Sequence, residues 1–140
     1  MGFTGSFAPV TTLFATQSYL DRSSIRLFTQ THPEVRAVAV VSTGREVLQL
    51  LQNGLNPQVI VLDMQLRDPG IQTLICEIRA MQLMPKPRLL LTAPTPEQTS
   101  AEDALLTFRG QEVILRPYEM RTLFERVYLL GAGDEAAQLY

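Results

Sequence analysis

The stretch Gln58-Val59-Ile60-Val61-Leu62-Asp63 constrains this chain more than any other: it is an unbroken apolar run that ends in a carboxylate. A strand with one wet face alternates apolar and polar residues, whereas one that is apolar throughout has both faces covered, the condition of a central strand in a parallel sheet flanked by helices. Neighbouring parallel strands need a crossover of roughly a dozen residues or more, usually a helix. The remaining sequence supplies both kinds of element. Val10 to Thr16 (VTTLFAT), the β-branched Val35 to Val41, Arg88 to Thr92 and the short Val113 to Leu115 read as four further strands.

Helical patterns fill the intervals. Ser18 stands at a capping position before a face of Leu20, Ser24, Leu27 and Phe28, with Ile25 beside it, and His32-Pro33 ends that helix. Thr43 and Glu46 have capping-box spacing ahead of Val47, Leu48, Leu50 and Leu51, and Gly54 closes the segment. The turn Asp68-Pro69-Gly70 precedes Ile71, Leu74, Ile75 and Ile78, and Pro85 and Pro87 separate that helix from the next strand. Thr95-Pro96-Glu97-Gln98 is a helix start, followed by a thinner face of Ala101, Ala104, Leu105 and Phe108 up to Gly110. A last helix over Tyr118 to Leu130 carries Met120, Leu123, Phe124, Val127 and Tyr128. Alternation of this kind predicts right-handed crossovers and a doubly wound α/β domain.

At 140 residues the chain has room for one such domain. The expected division is a flexible lead-in over 1–9, the domain over 10–130, and a tail or linker stub over 131–140. A formal net charge of -2 gives no positive field to draw the domain to nucleic acid. With no apolar run long enough for a bilayer and no secretory signal pattern, a cytoplasmic location without membrane contact is expected. The lone Cys76, between Ile75 and Glu77, is expected to be a buried structural thiol, and Met81, Met84 and Met120 to be packing residues. His32 lies in a polar turn without Cys or a second His nearby, a poor start for a metal site.

In doubly wound sheets the functional residues lie beyond the carboxyl ends of the strands. Here these are Thr16 and Gln17, Asp63, Thr92, and Arg116-Pro117. The aspartate closing VIVLD, the threonine in LLLTA, the basic-Pro pair in VILRPYEM and the Gly in STGREV, in this order, resemble the receiver domain of two-component response regulators over about residues 11 to 130. The resemblance implies a flavodoxin-like five-stranded parallel sheet of order 2-1-3-4-5. It makes Asp63 the equivalent of the phosphoacceptor, and Thr92 and Arg116 the equivalents of the switch hydroxyl and the basic residue that contact the phosphoryl group.

The sequence also departs from the family. Thr16 and Gln17 replace the acidic pair that supplies most of the Mg²⁺ ligands, and Mg²⁺ favours carboxylate oxygens and water. Asp21, a helical turn further on, is expected at the surface. Arg116 replaces a lysine with a wider, planar fork, and with no cation nearby it is expected to pair with Asp63 permanently. Leu66 and Arg67 replace the usual Met-Pro, Gly70 comes one residue early, and Arg67 or Asp68 is expected to intrude on the pocket. Val113 stands where the family has its aromatic switch, and a valine has no comparable inward and outward rotamers.

These departures predict a pseudo-receiver: a signalling and protein-interaction module, not an enzyme, with no metal or other cofactor. One alternative is a weakly phosphorylatable receiver that accepts phosphate on Asp63 with weak Mg²⁺ binding, as the regulatory part of a transcription factor. A small flavodoxin-like enzyme is the other, disfavoured because no phosphate-cradling Gly-rich loop follows the first strand and no Ser-His or Cys-His pair falls at the strand ends. The expected partner is a protein, either a second copy or an output or signalling domain, reached through the surface of the fourth predicted helix, the fifth strand and the last helix. Arg109, Glu112, Glu119, Arg121, Glu125 and Arg126 place both charge signs there, and Tyr118 is an expected exposed anchor.

Overall fold

The computed structural model describes residues 8–93 and 112–133. In chain order the elements are β1 (Val10–Ala15), α1 (Tyr19–Thr29), β2 (Val35–Val41), α2 (Gly44–Gln52), β3 (Val59–Asp63), α3 (Ile71–Ala80), β4 (Arg88–Ala93), β5 (Glu112–Leu115) and α4 (Met120–Ala132). The strands form one parallel sheet of order β2-β1-β3-β4-β5, with β3 in the middle. The helix start predicted at Thr95, with its face through Phe108, lies outside the described residues, as do 1–7 of the lead-in and 134–140 of the tail.

The continuous apolarity of β3 has a direct explanation in the two cores. Ile60 and Leu62 point to one face, where they join Leu13, Ala15 and Leu91 under Val47, Leu48 and Leu51 of α2 and Leu74, Ile75 and Ile78 of α3. Val59 and Val61 point to the other, joining Val10, Phe14 and Leu90 under Ile25 of α1 and Leu123, Phe124 and Val127 of α4. All five residues of β3 are buried, so a polar side chain at 59 to 62 would lack a partner on either face. Phe14 stacks on Phe124 with ring centroids 5.7 Å apart, and Phe28 meets the same ring edge-on at 4.8 Å. Each fully buried aromatic of this kind contributes about 1.5–3 kcal/mol through burial.

Local signals account for the helix starts. Ser18 caps α1 by accepting from the Asp21 amide, and Thr43 and Glu46 form the capping box of α2. Gly44 is needed for close approach: its amide donates to the Arg67 carbonyl at 3.1 Å, and a Cβ there would stand 2.9 Å from the Pro69 carbonyl oxygen. At the far end, α4 continues through Gly131, which was expected to begin the tail. A side chain at 131 would collide with Val10 of β1, so this glycine lets the helix lie against the sheet.

Several side-chain expectations are corrected. The inward face of α1 is Ile25 with the partly buried Asp21 and Phe28, while Leu20, Ser24 and Leu27 face outward. Phe28 must meet Phe124, which fixes the rotation of the helix. Cys76 is exposed, because the buried stripe of α3 at 71, 74, 75 and 78 leaves position 76 outside. Met81 and Met120 pack against the cores, but Met84 is 85% exposed. The His32 ring stacks on Phe28, and its Nδ1 lies 3.0 Å from the Phe28 carbonyl oxygen, tying down the end of α1.

Candidate functional site

The carboxyl ends of β1, β3, β4 and β5 bring Thr16, Asp63, Thr92 and Arg116 together. Asp63 is 3% exposed, and both of its carboxylate oxygens have partners. Oδ1 accepts from the Gln65 amide at 2.9 Å. Oδ2 accepts from the Thr16 hydroxyl at 3.1 Å and from Arg116 Nη2 at 3.2 Å. Thr16 is itself buried and fixed, since its Oγ1 accepts from the Ser18 amide at 3.2 Å and its carbonyl accepts from Arg22 Nη1 at 2.9 Å. Gln17, the other replacement for the acidic pair, is exposed.

Asp21 changes the site most. It was expected at the surface, yet its Oδ2 accepts from the same Arg116 Nη2 at 2.6 Å, the shortest bond in this cluster. The Ser18 cap starts α1 so that position 21 lies on the side of Ile25, and the helix thereby carries this carboxylate into the mouth of the sheet. The four-residue spacing of Asp21 and Ile25 was the available signal; the misassigned Leu20–Leu27 face obscured it. Burial works to lower the Arg116 pKa, but the hydrogen bond to Asp21 and the nearby Asp21 and Asp63 charges outweigh it, so the value is raised. Arg116 thus acts as the local cation, with two carboxylates around one guanidinium nitrogen.

Tyr118 also turns inward. Its half-buried ring lies 5.4 Å from the Arg116 guanidinium carbon, and it lines the same small cleft as Thr92. Burial pushes the phenol pKa up, against the opposing effect of the Arg116 charge. A small cleft brings Thr16, Asp21, Thr92 and Tyr118 together over Phe14, Val61 and Leu123. The loop after Asp63 does not enter this cleft as expected: Asp68 pairs with Arg45 at 3.0 Å, and the Arg67 carbonyl accepts from the Gly44 amide. These contacts turn the loop toward the start of α2.

No protein-family model matches the chain. It is similar to the signal receiver domain of NarL from Mycobacterium tuberculosis, with a TM-score of 0.75 and 16% identity over 91% of this chain and 99% of that one. The chain has the receiver-domain fold. The receiver domain of Ssk1 from Saccharomyces cerevisiae, in its co-crystal with the histidine phosphotransfer signaling protein Ypd1, belongs to a structure matched with a TM-score of 0.71 and 15% identity, covering 91% of this chain and 92% of that one. In sequence, the chain is 27% identical over 110 residues to a protein-glutamate methylesterase/protein-glutamine glutaminase of Desulfitobacterium hafniense (strain Y51). That match covers 79% of this chain and 27% of the relative, so the chain spans about a quarter of its length.

The resemblance read from the sequence implies a divalent cation beside Asp63. The residues here do not fit one as they stand: Oδ2 of Asp21 and Oδ2 of Asp63 are both already held by Arg116 Nη2, and Thr16 is a neutral donor to Asp63. No group of three or more His, Cys, Asp or Glu suited to a metal occurs among the described residues. Val113 is half-buried against the α2–α3 core, so the aromatic ring near Thr92 comes from Tyr118 instead. Of the expected contact residues, Glu112 and Arg126 pair with each other at 2.6 Å, whereas Glu119, Arg121 and Glu125 are exposed. Arg109 lies outside the described residues. No helix among the described residues is long and apolar enough to cross a membrane.

Proposed function

We propose that the chain is a pseudo-receiver, a non-enzymatic signalling module that contacts a partner protein or a second copy of itself without phosphorylation of Asp63. The observation that carries this reading is the single Arg116 nitrogen shared by Asp21 and Asp63. Phosphoryl transfer to a carboxylate requires a free nucleophilic oxygen and a cation to neutralise the crowded phosphoryl oxygens. Here one Asp63 oxygen carries a guanidinium and a hydroxyl, the other a backbone amide, and the positive charge is part of the chain. Exposure to acetyl phosphate with Mg²⁺, followed by intact mass measurement, is expected to leave the chain unmodified. An acid-labile adduct of one phosphoryl group on Asp63 at near-full occupancy would overturn the reading.

One observation favours a second reading, a weakly phosphorylatable receiver: Asp21 brings another carboxylate to Asp63, which partly restores the acidity lost at Thr16 and Gln17. In that case the same experiment labels Asp63 slowly, and Asp21→Asn abolishes the label. For the partner surface, the exposed Glu119, Arg121 and Glu125 of the α4 face are the residues left to make contacts. Charge reversal by Arg121→Glu is expected to change the assembly state, and an unchanged assembly would count against this face.

A further inference from the structure

A second opening lies at the other end of the sheet. It is a cavity of about 720 Å³ at the amino ends of β4 and β5, floored by Ile78 of α3, Leu89 of β4 and Leu130 of α4. Three cations, Arg79, Lys86 and Arg88, stand on its wall. All are exposed, and none makes an ion pair with a described residue. The acid on the wall, Glu112, is already taken by Arg126 at 2.6 Å. The rim is therefore positive although the whole chain carries a formal charge of -2.

We propose that this cavity binds a small organic anion, in which an apolar or aromatic body of nucleotide size carries a phosphate, carboxylate or sulfonate. Its volume falls within the range of roughly 300–1,000 Å³ that holds such ligands, and an apolar floor with a few placed charges is the usual composition of their sites. Guanidinium groups bind planar or tetrahedral oxyanions through paired N–H donors, so Arg79 and Arg88 select the anionic head while Ile78, Leu89 and Leu130 cover the body. A bound molecule would touch α3, β4 and α4 at once. It would reach the helix that carries the exposed Arg121 and Glu125 without involving Asp63.

The test uses two dyes that share a ring system, 8-anilinonaphthalene-1-sulfonate and the uncharged N-phenyl-1-naphthylamine, titrated into the ¹⁵N-labelled full chain. The sulfonate is expected to saturate a single site, with shifts concentrated at Ile78, Leu89 and Leu130. The uncharged dye is expected to bind at least about tenfold more weakly. The triple variant Arg79→Gln/Lys86→Gln/Arg88→Gln, altered only at exposed positions, is expected to lose that preference. Equal affinity for the two dyes, shifts centred elsewhere, no saturable binding of the sulfonate, or an unchanged triple variant would each overturn the proposal.

Discussion

The two ends of the sheet treat charge in opposite ways. At the carboxyl end, Arg116 is shared between Asp21 and Asp63, Thr16 adds a hydrogen bond, and Tyr118 covers the group beside Thr92. At the amino end, Arg79, Lys86 and Arg88 surround a cavity and pair with no described residue. In a receiver fold the first end is where external chemistry is expected, yet here it satisfies itself. The contrast teaches that one sheet can hold charge in two ways: at one end it is paired within the domain, and at the other it has no ion-pair partner among the described residues.

The contrast breaks if the closed end is not structural. Arg116→Ala leaves a buried carboxylate without its cation and is expected to cost about 3 kcal/mol in urea unfolding. That is the low end for a broken buried pair, because the Arg116 side chain is 31% exposed and the Thr16 and Gln65 donors to Asp63 remain. Adding Asp63→Asn is expected to recover part of the loss, since the more deeply buried of the two carboxylate charges is then gone, and a strictly additive double variant would contradict the pairing. Asp21→Asn, at a less buried position, is expected to cost about 1–2 kcal/mol in the same assay.

A smaller effect, dependent on pH, sharpens the picture away from the mouth. The Ser42 amide, with help from Thr43, holds the Glu46 carboxyl below the usual carboxylate range. The folded-state pKa is below the unfolded one, so the contribution is full above the ordinary Glu value and is lost as pH falls through the depressed folded value. Wild type is expected to exceed Glu46→Gln by about 1 kcal/mol at neutral pH, with the gap closing below about pH 4 in thermal melts. The smallest effect belongs to the open end. Arg88→Gln is expected to change stability by no more than about 0.5 kcal/mol, because an exposed cation without a partner has little to lose.

Much of this was legible in the sequence, for identifiable reasons. The unbroken run at 59 to 62 required two covered faces, and Thr43 with Glu46 marked a helix start through local hydrogen bonding alone. The strand-end residues Thr16, Asp63, Thr92 and Arg116 followed from strand order. Rotation of a helix with a weak apolar pattern did not: α1 has apolar residues on both sides, and contact with Phe124 and Arg116, far along the chain, chooses the side of Ile25. Asp21 was misplaced for that reason. Tyr118 was misread because its burial depends on the loop after Pro117, whose path local pattern does not encode. The amino-end cavity combines residues 78 to 89 with 112 and 130, a juxtaposition created only by packing.

A Mg²⁺ titration of the wild-type domain, followed at the Gln65 and Thr16 amides, asks directly whether the guanidinium has taken over the cation's place. With Arg116 holding Asp21 and Asp63, these signals are expected to show no saturable shift up to about 10 mM metal. Saturation in the micromolar range, with both amides moving together, would contradict the account.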